Sequence, residues 1–225
     1  MTVENKFTKY AKDYDDHNII QRIISKALAR EITDEPKNIL ELGCGSGQIF
    51  REINWEFDNY LAVDFSSKMC ELHPKKENLK VKCFDFDSHE FREEICKKSF
   101  DLIISSSALQ WSKNLPGLLE YIVPKTKKFQ AVLFTSNTFK EIYKITRKEK
   151  SILSLDEIKD AFSIYKPSFE VLNYNLYFEN KKELFDYIKN SGVGGENKLN
   201  FKEARNLYKN YSLNYLEFEV IFVKF

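Results

Sequence analysis

The richest stretch of this sequence is Asn38-Ile-Leu-Glu-Leu-Gly-Cys-Gly-Ser-Gly47. A short apolar run enters a loop with glycine at alternate positions, Gly43, Gly45 and Gly47. Glycine reaches backbone conformations closed to other residues and occupies no side-chain space, so a ligand can lie against the main chain there. In open α/β sheets, ligands bind at such loops, outside the carboxyl ends of the strands. A dinucleotide fingerprint would need glycine at position 48. Gln48 stands there, which weakens a pyrophosphate reading. A second apolar run, Tyr60-Leu-Ala-Val-Asp64, ends in an acid about 20 residues beyond the loop, where a carboxylate can accept both hydroxyls of a ribose. A third, Cys83-Phe-Asp-Phe-Asp87, again places acids just past a strand. Any one of these acids alone would serve as a helix cap. In order, each after a strand, the three features point to a nucleoside-bearing cofactor.

The elements that must position these residues are legible from periodicity. Apolar runs over Asn38–Leu42, Tyr60–Val63, Leu79–Phe84, Asp101–Ser105 and Gln130–Thr135 read as strands. Helical patterns fit Asp15–Glu31, Gln48–Ile53, Ser67–Leu72, Glu90–Cys96 and Leu115–Val123, with Pro36 ending the first helical segment. Alternating βα units with near-continuous apolar strands imply a parallel sheet covered on both faces. The last third offers helices over Phe139–Lys150, Leu155–Phe162, Lys181–Asn190 and Phe201–Asn210, and strands over Phe169–Phe178 and Tyr215–Phe225. The expected fold is a Rossmann-like, doubly wound, seven-stranded and mostly parallel sheet with helices on both faces and a helical lid. We expect a single domain over 1–225, with a lid in 1–35, a cofactor-binding core in 36–136 and substrate-side elements in 137–225. Strand order is left open.

Composition narrows the function. The 225 residues include 35 basic and 34 acidic side chains, without the excess of positive charge typical of nucleic-acid binders. The polar start MTVENKFTKYAKDYDD lacks a signal-peptide core. No apolar run approaches the ~20 residues that span a bilayer. A soluble, cytoplasmic protein with no membrane partner is expected, acting as a monomer. Cys44, Cys70, Cys83 and Cys96 form no Cys-x-x-Cys pair, and no zinc spacing is present. They read as reduced, mostly buried thiols, and no metal is expected. His17, His73 and His89 are scattered in polar contexts and read as surface residues.

The motif Glu41-Leu-Gly-Cys-Gly-Ser-Gly47 resembles motif I of class I S-adenosylmethionine-dependent methyltransferases. The resemblance covers most of residues 36–136. It implies that S-adenosylmethionine lies over Glu41, Gly43, Cys44, Gly45 and Gly47, with Asp64 on the ribose and Asp85 accepting from the adenine amino group. It places Phe65, Phe86 and Ser105 in the same site, with Phe84 or Phe86 covering the base. One departure stands before strand five, where Pro124-Lys-Thr-Lys-Lys-Phe replaces the family's Pro-Gly-Gly turn.

The flanking segments narrow the resemblance. Phe7 and Tyr14 precede the first helix, Ala108-Leu-Gln-Trp111 follows strand four, and Ile188-Lys-Asn-Ser-Gly192 comes late. Together these are similar to the malonyl-acyl-carrier-protein O-methyltransferases of biotin synthesis, over nearly the whole chain. That resemblance implies methylation of the free carboxylate of a malonyl thioester, with an acyl-carrier protein as partner. An ionised carboxylate is already a nucleophile, so no general base is required. Tyr14 and Gln110 are the candidate catalytic residues, Gln110 donating to a substrate oxygen. Trp111 is a candidate pocket wall. Arg147 and Lys189 are alternative cations for the substrate carboxylate, and Lys140, Lys144, Arg147 and Lys148, spaced along one helix face, are a candidate dock for the carrier. Rival readings are a methyltransferase of another small acid such as trans-aconitate, a non-catalytic cofactor-binding subunit, and a nicotinamide oxidoreductase.

Overall fold

In the computed structural model, described for residues 18–190 and 199–225, seven strands form one sheet. They are β1 (Asn38–Leu42), β2 (Asn59–Asp64), β3 (Leu79–Cys83), β4 (Phe100–Ser106), β5 (Thr126–Phe134), β6 (Ser168–Tyr177) and β7 (Tyr215–Lys224). Their order is β3-β2-β1-β4-β5-β7-β6. The first five run parallel, and β7 is antiparallel to both of its neighbours. The chain passes outward from β1 to β3, then returns to lay β4 against the other side of β1. Loops leaving β1 and β4 therefore diverge, which opens a crevice at the carboxyl ends of those strands.

Side chains alternate across a strand, and here the alternation sorts them into two apolar layers. Ile39, Tyr60, Ala62, Leu102, Ile104, Val132 and Phe134 face one core, with Val220 and Phe222. Leu40, Leu61, Val63, Ile103, Ala131 and Leu133 face the other, with Ile221 and Val223. The first core is closed by α1 (Ile19–Arg30), α5 (Lys140–Thr146), α7 (Lys181–Asn190) and α8 (Phe201–Asn210). The second is closed by α3 (His89–Ile95), α4 (Leu115–Ile122) and α6 (Leu155–Phe162). The short α2 (Ser67–Leu72) packs on β2 and β3. Each fully buried Leu, Ile or Phe contributes roughly 1.5–3 kcal/mol, so covering both faces is what holds so apolar a sheet in water.

Local signals set the helix starts. Ser66, Ser88 and Asn114 accept hydrogen bonds from the first turns of α2, α3 and α4. Ser154 with Glu157 and Asn200 with Glu203 form capping boxes on α6 and α8. In α1, Ile20, Ile24 and Leu28 are buried against the sheet, whereas Ile19 and Ile23 are 36% and 47% exposed. The apolar stripe is narrower than the sequence suggests.

Two expected helices are shorter than read. The segment after the glycine loop forms only a 3-10 turn at Phe50–Glu52, not a helix over Gln48–Ile53. Gly45 and Gly47 hold positive φ, so right-handed geometry begins only after them, and Trp55 is soon drawn aside to donate to the Pro36 carbonyl. The helix expected over Phe139–Lys150 is confined to Lys140–Thr146, because Arg147 closes it in the left-handed region at φ 55°. The four basic residues therefore do not share one helix face.

Gly43 shows how tightly the loop is built. It holds φ +70°, and a Cβ there would lie 2.0 Å from the Cβ of Ala108. The Gly43→Ala variant should lose about 2–5 kcal/mol of unfolding free energy, from overpacking and left-handed strain together. In an Ala108→Gly background the same change should cost only the strain, about 1–2 kcal/mol. Denaturant unfolding of the four variants checks this, and equal costs in both backgrounds would contradict the packing assignment.

Candidate active site

The glycine loop is anchored at its start, where the Gly43 and Cys44 amides both donate to the Val63 carbonyl at 2.8 and 3.0 Å. All three loop glycines have positive φ, but they serve different ends. The missing side chain of Gly43 admits Ala108, and that of Gly47 admits Pro74 and His73. Only Gly45 faces open space, with nothing within 4 Å of where a Cβ would sit. Two glycines let neighbouring loops close in, and one leaves the cavity floor bare for a ligand.

Asp64 ends β2 directly beside that floor. One carboxylate oxygen accepts from the Gly45 amide at 2.9 Å, the other from the Ser66 amide at 2.8 Å. Burial pushes its pKa up to about 6, against the pull of these two donors. At neutral pH the group is ionised, and each oxygen retains lone-pair capacity for a further donor. Glu41 lies deeper, and Tyr60 donates to it at 2.6 Å. Burial raises its pKa to about 8, with the Tyr60 bond opposing and the Asp64 charge adding. Glu41 is thus largely protonated at pH 7.

A cavity opens over the loop, lined among others by Glu41, Gly45, Asp64, Phe65 and Phe86. It meets a larger space along a shared wall of Phe65, Phe86 and Trp111. Asp85 lines the second space, its carboxylate held by the Asp87 amide at 2.9 Å and by Lys113 Nζ at 3.0 Å. Gln110, Ser136 and Lys150 line it too.

The arrangement fits a sulfonium nucleoside. The bare backbone at Gly45 admits a flat, close-lying ligand, Asp64 offers acceptors for sugar hydroxyls, and Phe65 and Phe86 offer apolar walls for a base. The sequence-assigned residues Glu41, Gly43, Cys44, Gly45, Asp64, Phe65 and Phe86 all border the first cavity. Gly47 supports it from behind.

Several assignments need correction. Ser105 is fully buried and donates to the Leu42 carbonyl at 2.8 Å, so it ties β4 to β1 while Ser106 and Ser107 reach the cavity. Gln110 spends one of its two amide N–H donors on the Ser107 carbonyl at 2.8 Å, and its buried Oε1 has no partner among the described residues. Lys144 is exposed and pairs with Glu141 at 3.3 Å, and Lys148 pairs with Glu203 at 3.0 Å, which spends part of the expected basic dock. Neither Lys144 nor Arg147 borders the two cavities. Tyr14 and the Lys189 side chain lie outside the described residues. His73 is buried behind Gly47 against Phe50, not on the surface. Among the cysteines only Cys44 is fully buried.

Sequence reasoning gave Gln21 of α1 no site role and missed Ser25; both help line the first cavity, as does Ser106, which meets Ser25 at 2.8 Å. Polar residues inside an apolar helical stripe were the available signal. Lys150 was passed over because it ends the segment read as one long helix, Phe139–Lys150.

Comparison with known proteins points to methyl transfer. A family model described as a methyltransferase domain matches residues 40–128. The YcgJ protein of Bacillus subtilis shares the fold, with a TM-score of 0.63 at 15% identity over 90% of this chain and 97% of that one. So does a plantazolicin methyltransferase, BpumL, solved with SAH, with a TM-score of 0.54 at 15% identity over 98% of this chain and 93% of that one. Together with the glycine loop and its acids, these findings mark residues 40–128 as a methyltransferase domain of the class I, S-adenosylmethionine-dependent kind. Within that class it resembles the malonyl-[acyl-carrier protein] O-methyltransferases. One of these, from Ilyobacter polytropus, is 26% identical over 95% of this chain and 90% of its own length. Another, from Haemophilus influenzae, is 26% identical over 88% of this chain and 80% of its own.

Two outcomes follow for the acids. Asp64→Asn should weaken S-adenosylhomocysteine binding about 10-fold or more in calorimetry, as expected for loss of charge-assisted hydrogen bonds. Glu41 has a folded pKa of about 8 against an ordinary 4.5, so its contribution to stability is full below pH 4.5 and is lost as pH rises through 8. Between pH 6.5 and 8 the ligand-free protein should therefore lose stability faster than its Glu41→Gln variant. Parallel melting curves across that window would contradict the assignment.

Proposed function

We propose that this enzyme transfers the methyl group of S-adenosylmethionine to the free carboxylate of a malonyl group held as a thioester on an acyl-carrier protein, the ester serving biotin synthesis. The observation that carries the reading is the similarity to malonyl-[acyl-carrier protein] O-methyltransferases across almost the entire chain, including the substrate-side third. The alternatives among small free acids lack a comparable observation here.

The site chemistry is consistent with this acceptor. When bound, the cofactor supplies an activated methyl group on a positively charged sulfur. The protein's task is then to orient a nucleophile that already carries its charge, since a malonyl carboxylate is ionised at neutral pH. Positioning of this kind can lower a barrier by ~7–11 kcal/mol without acid–base chemistry. Trp111 lines both cavities, which makes its ring the candidate for excluding water from the methyl's path. Lys150 reaches the second cavity and offers a cation for the acyl group's charge. Lys113, engaged with Asp85, is less available. The unpartnered Gln110 Oε1 suits an N–H or O–H donor, such as an amide of the arm that carries the thioester, and not the carboxylate itself.

The test is incubation with methyl-labelled cofactor and malonyl-acyl-carrier protein beside free malonate and trans-aconitate. A base-labile methyl ester formed on the carrier-bound acid, at a kcat/KM at least 100-fold above either free acid, is expected. Preference for a free acid would overturn the reading. Lys150→Ala should raise KM for the carrier-bound acid about 10-fold and leave the affinity for S-adenosylhomocysteine unchanged, as expected for loss of one ionic contact.

A further inference from the structure

Cys70 and Cys83 stand together at the back of the cofactor loop. Cys83 ends β3, where it pairs in register with Asp64 of β2, and α2 brings Cys70 over the same two strands. The two side chains are neighbours, since Cys70 Sγ reaches the carbonyl of Lys82, the residue before Cys83. Cys70 Sγ lies 3.5 Å from the Asp64 carbonyl and 3.8 Å from that of Lys82, and Cys83 Sγ lies 3.5 Å from the Phe65 carbonyl. The thiols thus bracket the peptide that joins the buried acid to the apolar wall of the cavity. Cys83 is exposed and Cys70 is half-buried, so one of the pair meets solvent and the other lies within its reach. The arrangement serves no evident structural need, since a hydrophobic side chain would fill either position.

We infer that Cys70 and Cys83 form a reversible disulfide whose closure weakens cofactor binding. The inference rests on the cofactor reading of the adjoining cavity and not on the identity of the acyl acceptor. The co-reactant is a small disulfide such as oxidised glutathione. The Cys83 thiolate attacks it and releases one glutathione thiolate, giving a mixed disulfide. The Cys70 thiolate then attacks Cys83 Sγ, forming the Cys70–Cys83 bond and releasing the second glutathione thiolate. Two protein thiols lose two electrons and two protons, and one glutathione disulfide becomes two glutathione molecules. Burial pushes the Cys70 thiol up to about 12, so the second step is the slow one and quickens as pH rises.

Bond formation draws the sulfurs to about 2.05 Å and removes both S–H donors. The Phe65 carbonyl loses its Cys83 contact, and the segment from Asp64 to Ser66 must shift with α2. The Asp64 carboxylate is oriented by the Gly45 and Ser66 amides, so a shift of Ser66 acts directly on the group that receives the ribose. By reciprocity, bound cofactor opposes the disulfide by the same factor by which the disulfide weakens the cofactor.

The experiment treats the full chain with oxidised glutathione at pH 8, maps the linked peptides by mass spectrometry, and titrates S-adenosylhomocysteine calorimetrically before oxidation, after it, and after dithiothreitol. A Cys70–Cys83 peptide 2 Da lighter than its reduced parts, a 5-fold or greater loss of affinity, full recovery with dithiothreitol, and no affinity change in oxidant-treated Cys83→Ser are expected. No such peptide, or a linked protein of unchanged affinity, would overturn the inference. Failure of even the reduced protein to bind S-adenosylhomocysteine would instead overturn the cofactor reading.

Discussion

The site depends on one buried carboxylate shared between two loops. Asp64 leaves β2 and is gripped by the Gly45 amide of the loop after β1 and by the Ser66 amide at the start of α2. Burying a charge costs several kcal/mol unless donors surround it. The raised pKa of Asp64 shows that two backbone amides offset only part of that cost. The remaining deficit is a demand for further donors, and the cavity leaves room for a ligand to bring them. The same demand fixes the loops relative to each other, since moving either would strip a partner from the acid.

Fold and chemistry meet at that point. The reversal of strand order between β1 and β4 opens the crevice, and the alternation of side chains in the sheet supplies a rigid floor buried on both faces. Gly43 and Gly47 let the loops around Ala108 and His73 close in, which leaves Gly45 bare at the opening. Glu41, protonated and bonded to Tyr60, lets an acid sit deep beside Asp64 without two like charges facing each other. The apolar rings of Phe65, Phe86 and Trp111 then mark the border between the cavity over the loop and the wider space beyond.

Much of this was legible in the sequence, for physical reasons that differ by region. The parallel strands announce themselves because both faces are buried, so their runs are apolar without interruption. Asp64 and Asp85 were identifiable because a strand's end fixes where its next side chain can go. Ser105, Ser106 and Ser107 were not separable by sequence. A one-residue difference on a strand flips the face, and only the structure shows that Ser105 points to Leu42 while its neighbours reach the cavity. The stop of α5 at Arg147 was equally hidden. It depends on a left-handed residue that carries no glycine to signal it, and with it went the expected four-residue basic face. That the Ser107 carbonyl takes one of the two Gln110 amide donors was also hidden, because a spacing argument does not show side-chain partners.

The most direct measurement of the central claim is a crystal structure of the complex with S-adenosylhomocysteine. The account predicts both ribose hydroxyls on the Asp64 carboxylate, the nucleoside passing over Gly45, and the base between Phe65 and Phe86. A ligand bound elsewhere, or Asp64 still held only by Gly45 and Ser66 with the sugar facing away, would contradict it.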